Sequence, residues 1–311
     1  MAQLIKLEDY VSRYEWNVYR YPSQFIRMKQ DNWKEMHNLW LNDDFAHNIK
    51  TDDPEPIMSK WKSFLKPDSR KTTTATELHD DPIDLPKTEN DLRYYFLDKL
   101  FPLQLKWATS TATDVSFMPN DYYENDRLKY FLMRFPDTYL LMYYPIFNVK
   151  KAPVEGNIIF ISPIGIEIIH MIEKQPGTLI TADGERTWLV KEEAKQETKM
   201  LSPLLALKRT EKIVKSIMNQ AGIALPVSKV VLSRTNHIAS LKESYNTKII
   251  GKHEYEDWFT EKRNLVSPLK NQQLKTAELL LKHCQTTAVK RPEWESDDDE
   301  AFLSGSGEKG S

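Results

Sequence analysis

Apolar residues recur at helical spacing through the first forty positions. Leu7, Tyr10, Val11 and Tyr14 form one stripe, and Phe25, Met28, Trp33, Met36 and Trp40 form a second. The spacing predicts helices over 4–42, with Ser23 as the N-cap of the second. The aromatic stripe reads as the buried side of a helical hairpin, or as a surface for a base or a protein partner. A short helix is predicted over 57–65, after the Asp- and Pro-rich break at 52–56. Residues 67–88 lose apolar periodicity and read as a linker. His79, Asp80 and Asp81 fall in it, as a solvated loop or a weak metal contact.

Periodicity resumes at Leu92, Tyr95, Phe96, Leu100 and Leu103, a helix over 89–107 with Thr88 as N-cap and Asp91 three residues on. A second helix follows over 125–135, and 139–147 reads as a strand. Two Ile-rich runs, 158–161 and 166–172, flank Ser162-Pro163-Ile164-Gly165, the signature of a tight hairpin. Strands over 178–181 and 187–190 flank Asp183-Gly184. Ser202-Pro203 opens a helix that Gly222 stops, so 202–221 is helical. Strands over 227–233 and 248–250 and helices over 254–263 and 267–285 complete the pattern. From Pro292 the chain turns acidic, then Gly- and Ser-rich, and should be disordered.

These elements predict an α/β fold, a mixed β-sheet flanked by helices, with a helical N-terminal extension. The expected divisions are a helical region over 1–66, a linker over 67–88, the α/β domain over 89–285 and a tail over 286–311.

Composition narrows function mainly by exclusion. The 311 residues carry 43 basic and 45 acidic side chains, a net charge of −2, so no global positive field draws nucleic acid. Cys284 stands alone, which excludes an internal disulfide and a Cys-based zinc site and reads as a core thiol. No apolar run approaches the roughly 20 residues of a spanning helix. A cytoplasmic, bacterial-type protein without membrane association is expected. The nine glycines form no phosphate-cradling loop, so no small-molecule nucleotide site is evident. Lys208, Lys212 and Lys215 share one face of the 202–221 helix, as a nucleic-acid contact or a solvated face. Arg234 lies in the polar loop 233–237, as a binding loop or an ordinary turn.

From Glu89 to Ser233 the order of elements resembles the nuclease-related domain (NERD) family of the PD-(D/E)xK, restriction-endonuclease-like superfamily. The resemblance rests on Ile161-Ser162-Pro163-Ile164-Gly165-Ile166, with Glu89 in the preceding helix, Trp188 in a later strand and the Ser202-Pro203 helix start. It implies a restriction-endonuclease-like core whose hairpin carries the metal-binding carboxylates. Those positions fall on Asn157, His170 and Ile172, which lack the oxygens a Mg²⁺ or Mn²⁺ site needs. The motif is degenerate, with Glu89 and Glu173 as possible remaining acids. The expectation is therefore a catalytically inactive domain that binds nucleic acid or protein without a cofactor. The alternatives are a Mg²⁺- or Mn²⁺-dependent nuclease with relocated ligands, and an adaptor acting through the aromatic N-terminal helices.

Overall fold

The computed structural model describes residues 1–42, 86–150, 152–182, 184, 186–192, 196–240 and 246–291. The expected helix at 57–65, most of the linker including His79, Asp80 and Asp81, and the acidic tail from 292 lie outside the described residues. The described helices are α1 (Arg13–Trp16), α2 (Tyr21–Leu41), α3 (Glu89–Trp107), α4 (Asp126–Met133), α5 (Pro203–Gln220), α6 (Tyr255–Arg263) and α7 (Asn271–Lys282). The strands begin with β1 (Gln3–Leu7), β2 (Asp114–Val115), β3 (Leu140–Tyr143), β4 (Ile146–Val149), β5 (Ala152–Glu155), β6 (Ile158–Ser162) and β7 (Gly165–Met171). They continue with β8 (Leu179–Ala182), β9 (Thr187–Lys191), β10 (Thr198–Leu201), β11 (Val227–Leu232), β12 (His237–Ser240), β13 (Thr247–Ile250) and β14 (Val289–Lys290).

The chain divides into two compact units, Met1–Pro22 with everything from Trp107 on, and Ser23–Lys106. Composition had suggested boundaries at 66 and 88. Within Ser23–Lys106, α2 and α3 bury Met36, Leu92, Phe96, Leu100 and Leu103. Trp33 meets Phe96 edge-on at 5.3 Å, and the Trp40 indole donates to the Pro86 carbonyl at 2.8 Å. The start of α3 is capped as expected: the Thr88 hydroxyl accepts from the Asp91 N–H, and the Asp91 carboxylate accepts from the Thr88 N–H.

The larger unit is built on a six-stranded mixed sheet in the order β1-β3-β6-β7-β11-β13. β1 runs parallel to β3, and β7, β11 and β13 run parallel to one another. β6 is antiparallel to both its neighbours, β3 and β7, so it alone runs against the rest. The predicted hairpin is its centre. The Ser162 hydroxyl accepts from the N–H groups of Ile164 and Gly165 and donates to the Gly165 carbonyl at 2.8 Å, which closes the turn. A side chain at Gly165 would stand 3.1 Å from the Pro226 carbonyl, so the neighbouring backbone would have to give by a few tenths of an ångström.

Helices cover both faces. α5 lies against β7 and β11, and α7 lies against α5 and β6. Ser202 caps α5 through the Leu204 N–H at 3.3 Å, with Pro203 in the first turn. The opposite face carries Phe131 and Phe135 of α4 and its C-terminal extension, Tyr139, Phe160 and, from α6, Trp258. Phe135 and Phe160 are 4.9 Å apart. Each such side chain contributes roughly 1.5–3 kcal/mol by leaving water, which makes this layer a rigid support for the sheet.

Several expectations need correction. Residues 3–7 form a strand, not a helix. All five side chains of β1 are buried, Lys6 included, so the segment shows no alternation that would mark it as a strand. Lys6 is held by the Tyr10 carbonyl, Glu15 and Thr286. The run 139–147 is broken at Tyr144, whose φ of 47° turns the chain out of the main sheet into the β4–β5 ribbon. α7 starts at Asn271 rather than at Ser267-Pro268. A second sheet, β10-β9-β8-β12, contains the expected β8–β9 hairpin and two strands that periodicity had not marked, β10 and β12. Trp188 lies in it, fully buried, its indole donating to the Gly184 carbonyl at 3.0 Å. Among the described residues, no helix is long and apolar enough to cross a membrane.

Candidate functional site

Because β1, β3, β7 and β11 point the same way, their carboxyl ends share one edge of the sheet, where ligand sites of open α/β sheets collect. Asn157 reaches the same edge from the other direction, just ahead of the antiparallel β6. The β6–β7 register, which pairs Ile158 with Ile169, continues to place Asn157 opposite His170.

These two residues form a directed chain of hydrogen bonds. Thr210 of α5 accepts through its hydroxyl from the Asn157 backbone N–H at 3.2 Å and from the Asn157 side-chain Nδ2 at 3.0 Å. The Thr210 hydroxyl itself donates to the Ala206 carbonyl at 3.2 Å. The Asn157 amide is thereby oriented with Oδ1 toward His170 Nδ1, 2.8 Å away. Oδ1 can only accept, so Nδ1 carries the hydrogen and Nε2 keeps its lone pair. Burial, and then the nearby positive charge of Arg127, hold His170 below the usual histidine value of 6.5, so the ring is neutral near pH 7. His170 is half-buried. A neutral imidazole with one nitrogen anchored and the other open is the form a general base takes.

Arg127 stands in the first turn of α4, behind the Asn125 N-cap. Its guanidinium donates to the Tyr144 hydroxyl at 3.2 Å and meets no carboxylate among the described residues. Beside Tyr144, Glu8 at the end of β1 also has a left-handed backbone, φ 44°, and its carboxylate accepts from the Tyr122 hydroxyl.

The other candidate residues take different places. Ile172 is buried, and its N–H donates to the Leu232 carbonyl at 2.8 Å. Glu89 belongs to the smaller unit, where it opens α3 and pairs with Arg93 at 2.6 Å. Glu173 engages both its oxygens with Arg234, at 2.6 and 2.9 Å, and the Arg234 guanidinium lies 4.4 Å from the centre of the Tyr130 ring. Arg234 is thus committed to a carboxylate and an aromatic face. Of the lysines on α5, Lys215 pairs with Glu211 at 2.8 Å, Lys212 is exposed and Lys208 is half-buried. Asn236 fastens the 233–237 loop by accepting from the Lys174 N–H at 2.8 Å and donating to the Gln175 carbonyl at 3.0 Å. Burial pushes the Cys284 thiol up to about 12, so it is no nucleophile. Among the described residues no three His, Cys, Asp or Glu side chains converge as a metal site would require.

Sequence reasoning missed Arg127, Thr210 and Tyr144. Thr210 had a signal, being a hydroxyl on the apolar side of α5 between Leu207 and Val214. Arg127 and Tyr144 had none, because only the fold brings Arg127 near His170 and Tyr144 to Arg127.

No known family's sequence profile matches the chain, and no solved structure does. A curated protein does: the chain is 31% identical over 117 residues to the "RNA 2',3'-cyclic phosphodiesterase" of Geobacillus stearothermophilus. The match takes in 33% of this chain and 36% of that protein, so the chain spans about a third of the length of the relative it matches. This similarity overturns the expected catalytically inactive, nuclease-related binding domain, since it points toward phosphoester chemistry.

Proposed function

We propose that the protein is a phosphodiesterase acting on RNA, with a 2',3'-cyclic phosphate as its substrate. The observation that carries the reading is the similarity to a protein named for that activity. The geometry of the sheet edge supports it. Hydrolysis of a cyclic phosphodiester needs a base for the attacking water and a cation for the phosphoryl oxygens. His170 and Arg127 are suited to those roles.

In this mechanism His170 Nε2 takes a proton from water as the water oxygen attacks phosphorus. The bond from phosphorus to one ribose oxygen breaks, and that oxygen takes a proton from solvent. The imidazolium then returns its proton to solvent, leaving a phosphomonoester. Asn157 and Thr210 keep the ring in the tautomer that presents Nε2, and Arg127 offsets the charge that builds on the phosphoryl oxygens. No step calls on a metal. The Ser162–Gly165 hairpin is, on this reading, a nuclease-related framework whose carboxylate positions have been given over to a histidine base. A cytoplasmic setting, with RNA as the partner, goes with it.

The test is hydrolysis of 2',3'-cyclic AMP and of a short RNA ending in a 2',3'-cyclic phosphate, followed by phosphorus NMR in the presence of EDTA. Conversion to a monoester that falls on His170→Ala is expected. A pure, folded protein that leaves both substrates intact overturns the reading.

A further inference from the structure

Tyr144 occupies a position that glycine would fill more easily. Its φ of 47° lies in the left-handed region, where a bulky side chain is uncommon. It is also half-exposed, so burial of its ring gives little reason for it. Two contacts hold the side chain. The hydroxyl accepts from Arg127 at 3.2 Å, and the ring meets Tyr143 edge-to-face with centres 4.8 Å apart. An edge-to-face contact uses at most one face of the Tyr144 ring. Glu8, one strand over, is strained in the same way, and its N–H donates to the Tyr143 carbonyl at 3.0 Å. Two left-handed non-glycine residues therefore sit side by side at the ends of β1 and β3, on the same sheet edge as the carboxyl end of β7, which bears His170. Strain of this kind gathers where a side chain must be presented for a task.

We infer that Tyr144 is the nucleobase-stacking residue of this edge, holding the base of the nucleotide whose phosphate meets Arg127. The inference rests on the phosphodiesterase reading for its ligand class. The chemistry is suited to it: aromatic rings beside a phosphate-binding cation are the usual platform for an unpaired base, and stacking tolerates any base. The same guanidinium would touch the Tyr144 hydroxyl and the phosphate, fixing the distance between platform and phosphate. Substrates would then be single-stranded ends or free nucleotides, whose bases are open to stack.

Binding can be measured without turnover. Calorimetric titration with adenosine 3'-phosphate and with ribose 3-phosphate separates the base from the phosphate. Wild type should prefer the nucleotide. Tyr144→Gly and Tyr144→Ala should each weaken nucleotide binding about tenfold and leave ribose 3-phosphate unchanged, while Tyr144→Phe keeps most of the nucleotide preference. The two small variants also differ in backbone: Tyr144→Gly should melt about 2–4 °C above Tyr144→Ala, because only alanine retains the strain. Equal affinity of wild type for both ligands, or binding of neither, overturns the inference. So does a Tyr144→Gly variant that melts far below wild type and loses both ligands together, which would mark Tyr144 as structural. Failure of the phosphodiesterase reading shows differently, as a wild type that binds the nucleotide by stacking but never cleaves a cyclic phosphate.

Discussion

The two faces of β7 solve the problem of buried polarity in opposite ways. On the face toward α5, Asn157, His170 and Thr210 form a neutral chain that ends at an open ring nitrogen. On the face toward α4 and α6, polarity is ionic, although one Glu167 oxygen is buried without a hydrogen-bond partner. Glu167 pairs with Lys262 at 2.7 Å, and Glu173 pairs with Arg234 through both oxygens. An ion pair that is bidentate and backed by an aromatic ring has little capacity left for a ligand. A neutral chain leaves one donor or acceptor over at its end. Glu89 and Glu173, the acids that looked like the remaining catalytic candidates, are engaged by Arg93 and Arg234, and under the proposed function the reactive group is His170 instead.

Breaking the neutral face should have the largest effect. His170→Ala is expected to lower kcat for cyclic-phosphate hydrolysis by about 10²–10⁴-fold in a protein that still folds, read by steady-state kinetics beside a thermal melt. If activity survives within threefold, His170 is not the base. Breaking the ionic face should reverse the pattern. Arg234→Met leaves Glu173 partly buried without its partner, and chemical denaturation should show a loss of about 1–3 kcal/mol, while kcat changes little. Side-chain exposures of 29% and 21% keep this below the cost for a fully buried pair.

Acidity separates the faces further. His170 has a lowered folded-state value, so below the unfolded value of 6.5 the unfolded chain binds more protons than the native one. Stability contributed by the neutral ring is complete above pH 6.5 and is lost as pH falls below it, until the folded ring also protonates. His170→Asn should flatten that part of a melting profile recorded between pH 5 and 7.5. In wild type, kcat should fall on the acid side of the lowered value, as the base protonates. The smallest effect belongs to the α5 surface. Lys215→Ala breaks an exposed pair with Glu211, and denaturation should register no more than about 0.5 kcal/mol. A larger cost would mean that Glu211, which also holds the buried Lys229, depends on both lysines.

Local signals made part of this architecture legible in advance. Ser162-Pro163-Ile164-Gly165 specifies its turn through its own hydroxyl and glycine, and Ser202-Pro203 specifies a helix start, so the hairpin and α5 were readable. β1 was not, because burial on both faces erases alternation in so short a run, and the neighbouring Tyr10 and Tyr14 complete a false helical stripe. β10 and β12 are strands chiefly by pairing with β9 and β8, a long-range cause that leaves little trace in composition. At the site, Asn157 and His170 were singled out by their place on the hairpin, but as losses. Their partnership becomes visible only when Thr210, 53 residues from Asn157, supplies the hydroxyl that turns the amide.

β1 has a consequence for the birth of the chain. The Gln3 side chain donates to the Asp137 carbonyl, 134 residues away, and among the described residues the strand has only β3 as a sheet partner. At a translation rate of about 5–20 residues per second, the apolar segment Leu4–Leu7 waits roughly 7–27 s before its partner exists. During that interval its apolar side chains have no neighbouring strand to pair with, so this edge of the sheet is completed only after the β3 segment has been made.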